Sequence, residues 1–269
     1  MLVNGKVFVV TGGGSGIGRE VVLQLLKKGA HVAALDMNEN SLKETADLAG
    51  AYKDKLTTHV VNITDRAAVD KLPEAVIAAH GAVDGLVNVA GIIQKFVFFK
   101  DLPMADVEKV MNVNFYGPLN IIKAFLPHLL KRPQANIVDV SSMGAYAPVP
   151  GQTIYGASKA ALKLFTEGLN SELMSTNVRV TTVYPGAINT NIAANSGVVA
   201  TAEKSGSAPK IKMTEASVAG AAIVNGIETD AYRVIIGSDA KMMDFLSRLM
   251  PKKSAEIIYK QMASLLPKE

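Results

Sequence analysis

Tyr155 and Lys159 stand four residues apart in the run Tyr-Gly-Ala-Ser-Lys. On a helix that spacing puts both side chains on one face. A phenol with a pKa near ~10 is a poor base at neutral pH. A neighbouring ammonium favours the phenolate and lowers that value. Ser142, thirteen residues before the tyrosine, offers a hydroxyl that can hold a carbonyl oxygen at the same point. Tyrosine and lysine four apart are common on surface helices, so the pair carries weight only in company.

The company lies near the start of the chain. Thr11-Gly12-Gly13-Gly14-Ser15-Gly16-Ile17-Gly18 falls between an apolar run and a helical pattern. Glycines there let the backbone turn tightly and approach a pyrophosphate, which the helix N-terminus stabilises through its free N–H groups and dipole. The strict G-x-G-x-x-G spacing fails, because Ile17, Arg19 and Val21 fill the third-glycine slots. A Walker A loop fails too, because Arg19-Glu20 follows Gly18. Asp36 closes the next apolar run, twenty positions after Gly16. A carboxylate in that place hydrogen-bonds the ribose hydroxyls of NAD and repels the extra phosphate of NADP. Neither Met37 nor Ser15 supplies a cation for such a phosphate.

These groups need a scaffold that brings strand ends together. Short Val/Ile/Leu runs alternate with longer helical patterns: strands over 6–10, 31–35, 56–61, 83–88, 136–141, 178–184 and 232–236, and helices over 16–28, 39–49, 65–79, 104–130, 152–175 and 214–226. This alternation predicts an α/β chain, doubly wound in the Rossmann manner, with a parallel, seven-stranded sheet and helices on both faces. The apolar fraction of 49% against 19% charged residues excludes a disordered chain. We expect one catalytic domain over 1–269, with a substrate lid in the small-residue stretch 186–212 and a C-terminal helical extension over 239–266, interrupted at Pro251. The Met-rich stripe of that extension could pack on the body or a partner, cover the pocket, or lie on a membrane surface; packing is the expectation.

Composition narrows the chemistry. The chain has no cysteine, which removes disulfides and thiolate nucleophiles. The four histidines are scattered, so no metal site is expected. The net charge of +4 comes without a basic run, so no nucleic-acid partner is expected. The N-terminal run reads as a first strand rather than a signal peptide, and no apolar run reaches the ~20 residues of a membrane span. A cytoplasmic location is the expectation.

Further motifs follow in order: Asn62 after the third strand, Asn88-Val-Ala-Gly91 after the fourth, Asn114 in Val113-Asn-Phe-Tyr-Gly117, Ser141-Ser142, Tyr155-x-x-x-Lys159 and Pro185-Gly186. With the glycine loop and Asp36, the set resembles the short-chain dehydrogenase/reductase family over about residues 5–240. The resemblance implies an NAD(H)-dependent enzyme acting on a moderately hydrophobic secondary alcohol or ketone. It implies Tyr155 as general acid/base, Ser142 orienting the substrate oxygen, Lys159 lowering the Tyr155 pKa and holding the nicotinamide ribose, and Asn114 supporting a water chain to Lys159. It implies cofactor contacts from Gly12, Ser15, Gly16, Ile17, Gly18, Asp36, Met37, Asn62, Ile63, Asn88, Ala90, Gly91, Tyr155, Lys159, Pro185, Gly186, Ile188 and Thr190. The substrate wall falls to Ile93, Gln94, Ser142, Met143, Val149, Tyr155 and Ala187, with Gln152 a further amide. Phe96, Phe98 and Phe99 read equally as loop packing or a subunit contact. Members of the family pair through the helices matching 104–130 and 152–175, which implies a homo-oligomer: a tetramer, or a dimer if the C-terminal extension blocks the second interface. Two positions depart from the family pattern. Val89 replaces a second asparagine, and Asn62 stands where an aspartate is common, its amide oxygen still able to accept from an adenine amino group. The alternatives are an NADP(H)-linked carbonyl reductase, disfavoured by Asp36; a dinucleotide-sensing regulator without turnover; and a scaffold that binds no dinucleotide.

Overall fold

The computed structural model describes residues 1–198 and 213–266. Most of the expected lid, 199–212, lies outside the described residues.

The elements run β1 (Val7–Thr11), α1 (Gly16–Lys27), β2 (His31–Asp36), α2 (Glu39–Leu48), β3 (Leu56–Val60), α3 (Arg66–Val69), α4 (Leu72–His80), β4 (Gly85–Asn88), α5 (Met104–Met111), α6 (Gly117–Leu129), β5 (Ala135–Val140), α7 (Thr153–Leu173), β6 (Val178–Pro185), β7 (Ile188–Asn189), α8 (Ile192–Asn195), β8 (Thr214–Glu215), α9 (Ala216–Glu228), β9 (Arg233–Ile236), α10 (Ser238–Leu249) and α11 (Pro251–Met262). Seven strands form one parallel sheet in the order β3-β2-β1-β4-β5-β6-β9, and β7 pairs with β8 beside it. Every residue of β1, β4 and β5 is buried, as expected of strands covered on both faces. One layer packs Val21, Leu25 and Ile223 of α1 and α9 against the sheet. The other packs Ile121, Phe125 and Leu169 of α6 and α7 on the opposite face. The order reverses between β1 and β4, where the carboxyl ends of the strands open a crevice.

Two helices expected to be continuous are broken, each by a proline. The pattern over 65–79 splits into α3 and α4 because Pro73 has no N–H to offer the carbonyl of Val69. The run over 104–130 splits at a single π-turn, Asn112–Tyr116, where Gly117 N reaches back to Asn112 O. Pro118 cannot close an α-turn on Asn114. Such wide turns recur at functional sites, and this one carries Asn114.

The C-terminal stripe is divided between two faces. Met243 and Ile258 are buried with Ala147, and Tyr146 and Val149 pack against them. Met242, Phe245 and Leu249 stay exposed on the other side of α10. Packing on the body, the expected role, therefore accounts for half of the stripe. Among the described residues no helix is long and apolar enough to cross a membrane.

Candidate active site

The glycine loop closes where β1 and β4 run side by side, with Thr11 opposite Asn88. The buried Thr11 hydroxyl oxygen accepts from Val89 N at 3.0 Å and Ala90 N at 3.2 Å. Gly12 has φ +68°, and a Cβ on it would lie 3.0 Å from the Ala90 backbone. A Cβ on Gly18 would run into the Gly12 carbonyl. The helix turns away so sharply that two backbones touch, and glycine is required at both places. Ser15, at the N-cap of α1, makes no capping bond. The first-turn N–H groups, including those of Ile17 and Gly18, are therefore available to an anion.

Asp36 stands over this loop. Its Oδ2 accepts from Gly14 N at 3.1 Å and its Oδ1 from Asn38 N at 3.0 Å. Arg19, the cation closest in sequence to the loop, is committed beneath it. Its guanidinium donates to Gly14 O, Thr45 Oγ1 and Ser41 O and pairs with Glu44 at 2.7 Å. Met37 is 73% exposed and uncharged. An anion cradle, a carboxylate at ribose distance along the sheet and a cleft between strand ends together fit an adenine dinucleotide.

The second half of the site forms where β5 gives way to α7. Ser142 is extended, and its Oγ accepts from Gly144 N at 3.0 Å. Tyr155 lies in the first turn of α7 with its ring beside Gly144 and Ser142. A Cβ on Gly144 would approach both the Tyr155 ring and Ser142 Oγ, at 3.3 and 3.4 Å. Lys159 is 4% exposed, and its Nζ donates to Val140 O at 2.9 Å. Gly91 faces the same point, because a Cβ on it would lie 3.2 Å from Lys159 Nζ and 3.3 Å from Asn114 Oδ1.

The electrostatics depart from one expectation. Burial raises the Tyr155 pKa, and the Ser142 hydrogen bond only moderates the rise. Lys159 has no part in this balance while its ammonium is held on the Val140 carbonyl. Burial also pulls the Lys159 pKa down to about 8, with Asp139 acting in the opposite sense. Asn114 is fully buried next to Lys159, at the Gly91 wall. Its amide donates to Ile92 O at 2.9 Å and Ser158 Oγ at 3.0 Å and accepts from Ile92 N at 2.8 Å. The side chain is a clamp that holds the wall beside Lys159, with both amide protons engaged and one lone pair of Oδ1 still open.

Other expected contacts fall in varied places. Thr190 packs over Gly16, Asn195 donates to Ser15 Oγ at 3.1 Å, and Ser196 Oγ accepts from Ile93 N at 3.0 Å. The stretch from β7 through α8 thus spans from the glycine loop to the Ile93 wall. Gln94 corrects the substrate list. It is 3% exposed, its Nε2 donates to Gly151 O, and its Oε1 accepts from Ile154 N at 2.8 Å and Tyr155 N at 3.0 Å. Gln94 caps the helix that carries Tyr155, with its oxygen doubly occupied and its nitrogen held on Gly151. Gln152 is likewise turned inward, donating to Gln94 O at 2.7 Å. Val149 lines a cavity of about 570 Å³ between the 144–153 loop and α10–α11, which Tyr155 does not line. The Ile63 side chain is core, packed against Gly117. The Asn62 oxygen already accepts from Thr64 N and Oγ1, which occupies the atom expected to meet adenine. Met143, Ile188 and Ala187 are half-buried along the cleft.

Three contributors escaped the sequence reading. Ser158 holds Asn114. Asp239, at the start of α10, accepts from Ala187 N at 2.7 Å and presses on Gly186, fixing the turn after Pro185. Asp139 lies beneath Lys159. An acid two residues into α10 and an acid inside a strand give no motif; only tertiary packing reveals them. Among the described residues no cluster of three or more His, Asp or Glu could hold a metal.

Comparison with known proteins agrees with this geometry. A family model described as short chain dehydrogenase matches residues 6–198. A Mycobacterium tuberculosis protein named as the oxidoreductase SadH is 35% identical over 269 residues, covering 98% of this chain and 97% of its own. A Burkholderia phymatum short chain dehydrogenase/reductase, solved in complex with NAD, superposes with a TM-score of 0.83 at 23% identity over 96% of each chain. A Burkholderia cenocepacia short chain dehydrogenase, solved with NADP, superposes at 0.80 with 24% identity, over 96% of this chain and 99% of its own.

Proposed function

Because the chain belongs to the short-chain dehydrogenase/reductase family, we propose that it is an NAD(H)-dependent oxidoreductase of a moderately hydrophobic secondary alcohol or the matching ketone. The observation that carries the reading is that Tyr155 lies beside Ser142 at Gly144 while Lys159, one turn on, reaches Val140 and Gly91, at the open end of the sheet that also bears the glycine loop. The choice of NAD rests on Asp36, hydrogen-bonded over the loop, with Arg19 engaged elsewhere.

The nicotinamide, when bound, accepts or supplies the hydride. The protein handles the proton. Ser142 Oγ holds the substrate oxygen. The Tyr155 phenolate takes the hydroxyl proton as an alcohol is oxidised, and the phenol returns it to the oxygen as a ketone is reduced. Lys159, released from the Val140 carbonyl as an ammonium, stabilises the phenolate and donates to the ribose. Asn114 and Gln94 keep the wall and the helix start in register. Half-buried Ile93 and Met143 give the substrate end an apolar lining. Exposed Met104, Tyr116 and Leu164 on α5, the π-turn and α7 offer an apolar face for pairing of copies, and we take the assembly to be a homotetramer.

Tyr155→Phe tests the reading. With NAD and a panel of secondary alcohols, followed by NADH absorbance, turnover should fall by ~10²–10⁴-fold while NADH affinity holds. A variant as active as the parent would remove Tyr155 from the reaction.

A further inference from the structure

Asp139 is an acid placed where an amide would satisfy every hydrogen bond. It sits on β5, 0% exposed, directly opposite Asn88 of β4. Its Oδ1 accepts from Asn88 Nδ2 at 2.8 Å, and its Oδ2 lies 2.8 Å from Thr166 Oγ1 on α7. An asparagine could make both contacts, accepting from Asn88 and donating to Thr166, without the cost of burying a carboxylate. Hydrogen bonding therefore does not explain the acid; its charge does.

The neighbours say what the charge acts on. The next residue, Val140, takes the Lys159 ammonium on its carbonyl at 2.9 Å, and the one after, Ser141, donates to Lys159 O at 2.8 Å. Three consecutive residues at the end of β5 and just beyond it thus bear on Lys159. Of the titratable groups around it, Asp139 on β5 is the one whose charge acts on Lys159, and Tyr155 stands one turn back on α7. Asn88, Asn114, Ser158 and Thr166 are neutral. We propose that Asp139 is a positioning residue: the buried countercharge that keeps Lys159 protonated and, through Lys159, sets the pH range in which Tyr155 exchanges its proton. The proposal rests on the acid/base reading of Tyr155 and Lys159 given above.

Two further observations support it. Thr166 Oγ1 is 2.7 Å from Leu162 O as well as 2.8 Å from Asp139, and it has one proton. It can donate to an ionised Asp139, or accept from a protonated Asp139 while donating to Leu162. The carboxyl can gain or lose its proton without moving its partners. Burial raises the Asp139 pKa and lowers that of Lys159, and each charge counters the shift of the other.

The test is Asp139→Asn, which keeps the shape and both hydrogen bonds and removes only the charge. Losing a negative charge lowers the pKa of every neighbour. The pH profile of kcat/KM for alcohol oxidation with NAD should therefore move bodily toward acid by about 0.5–2 units. A uniform fall at every pH, with no displacement, would mean a structural role and overturn the proposal. A second readout needs no turnover. In protein labelled with 13C-lysine, the Lys159 Cε resonance, assigned by its loss in Lys159→Arg, should titrate at lower pH in Asp139→Asn than in the parent. An unmoved titration overturns the pairing. Thr166→Val, which removes one bond to the carboxylate, should shift both readouts the same way by less, and stands in should Asp139→Asn fold poorly. Failure of the catalytic reading looks different: Tyr155→Phe would keep its turnover, while the lysine titration would still report on Asp139.

Discussion

Removing the carboxylate of Asp36 should narrow the proposed preference for NAD over NADP. NADP sets a phosphate where Asp36 meets the ribose. Two like charges at ~4 Å repel by ~4 kcal/mol at an effective dielectric of 20, and solvent and counterions leave a third of that, about 1.4 kcal/mol. The carboxylate could swing aside, but that would break its bonds to Gly14 N and Asn38 N. Such bonds are worth roughly 1.5 kcal/mol or more each, so holding position is cheaper than retreat. The repulsion is therefore realised, and the parent should favour NAD by about tenfold or more in kcat/KM. Asp36→Ala should narrow the ratio, losing NAD efficiency with the missing ribose bonds. Adding Met37→Arg should carry it toward NADP, because the exposed position can deliver a guanidinium that grips a phosphate through two parallel bonds. Steady-state kinetics of the three proteins on one alcohol, with fluorescence titration by NADH and NADPH, makes the measurement. Equal use of both cofactors by the unmutated enzyme would refute the argument. It would direct attention to Arg19 leaving Glu44 and Gly14 for the phosphate.

Gly18→Ala should drive its methyl into the Gly12 carbonyl and open the loop; NADH affinity, measured by fluorescence, should fall about tenfold or more, near 1.4 kcal/mol. Gln94→Ala should unpair two N–H groups at the start of α7 and the Gly151 carbonyl. A cost of roughly 3 kcal/mol should lower the melting temperature by about 6–12 °C, and turnover should drop equally for every alcohol in a panel, since Gln94 touches no ligand.

The parts of the site that the sequence made legible are those fixed by the end of a strand. Gly12, Asp36, Asn88, Ser142 and Pro185 each follow a buried run, and a parallel sheet delivers all such ends to one edge. Residues reached through a turn or a helix start were harder. Gln94 and a substrate-facing amide look the same in sequence; only the path of the loop toward 151–155 distinguishes them. Periodicity carried 104–130 through as one helix because side-chain spacing does not record a backbone proton missing at Pro118. Asp139 was hidden among the apolar residues of β5. The sense of the Tyr155 shift was hidden because sequence gives the neighbour but not the depth at which the phenol is buried.

The pairing of Thr11 with Val89 joins residues 78 positions apart, which bears on how the chain acquires its structure. β4 must insert between β1 and β5 before the glycine loop has its far wall, and parallel insertion of that kind is slow because loop closure precedes any return in contacts. No earlier species owns the cradle, so a dinucleotide has nothing to grip until the sheet is whole. NADH should then leave the refolding rate nearly unchanged and slow unfolding, adding about 2.7 kcal/mol of stability at a hundredfold excess over its dissociation constant. The ligand acts as a latch on the finished sheet, not as a template for building it.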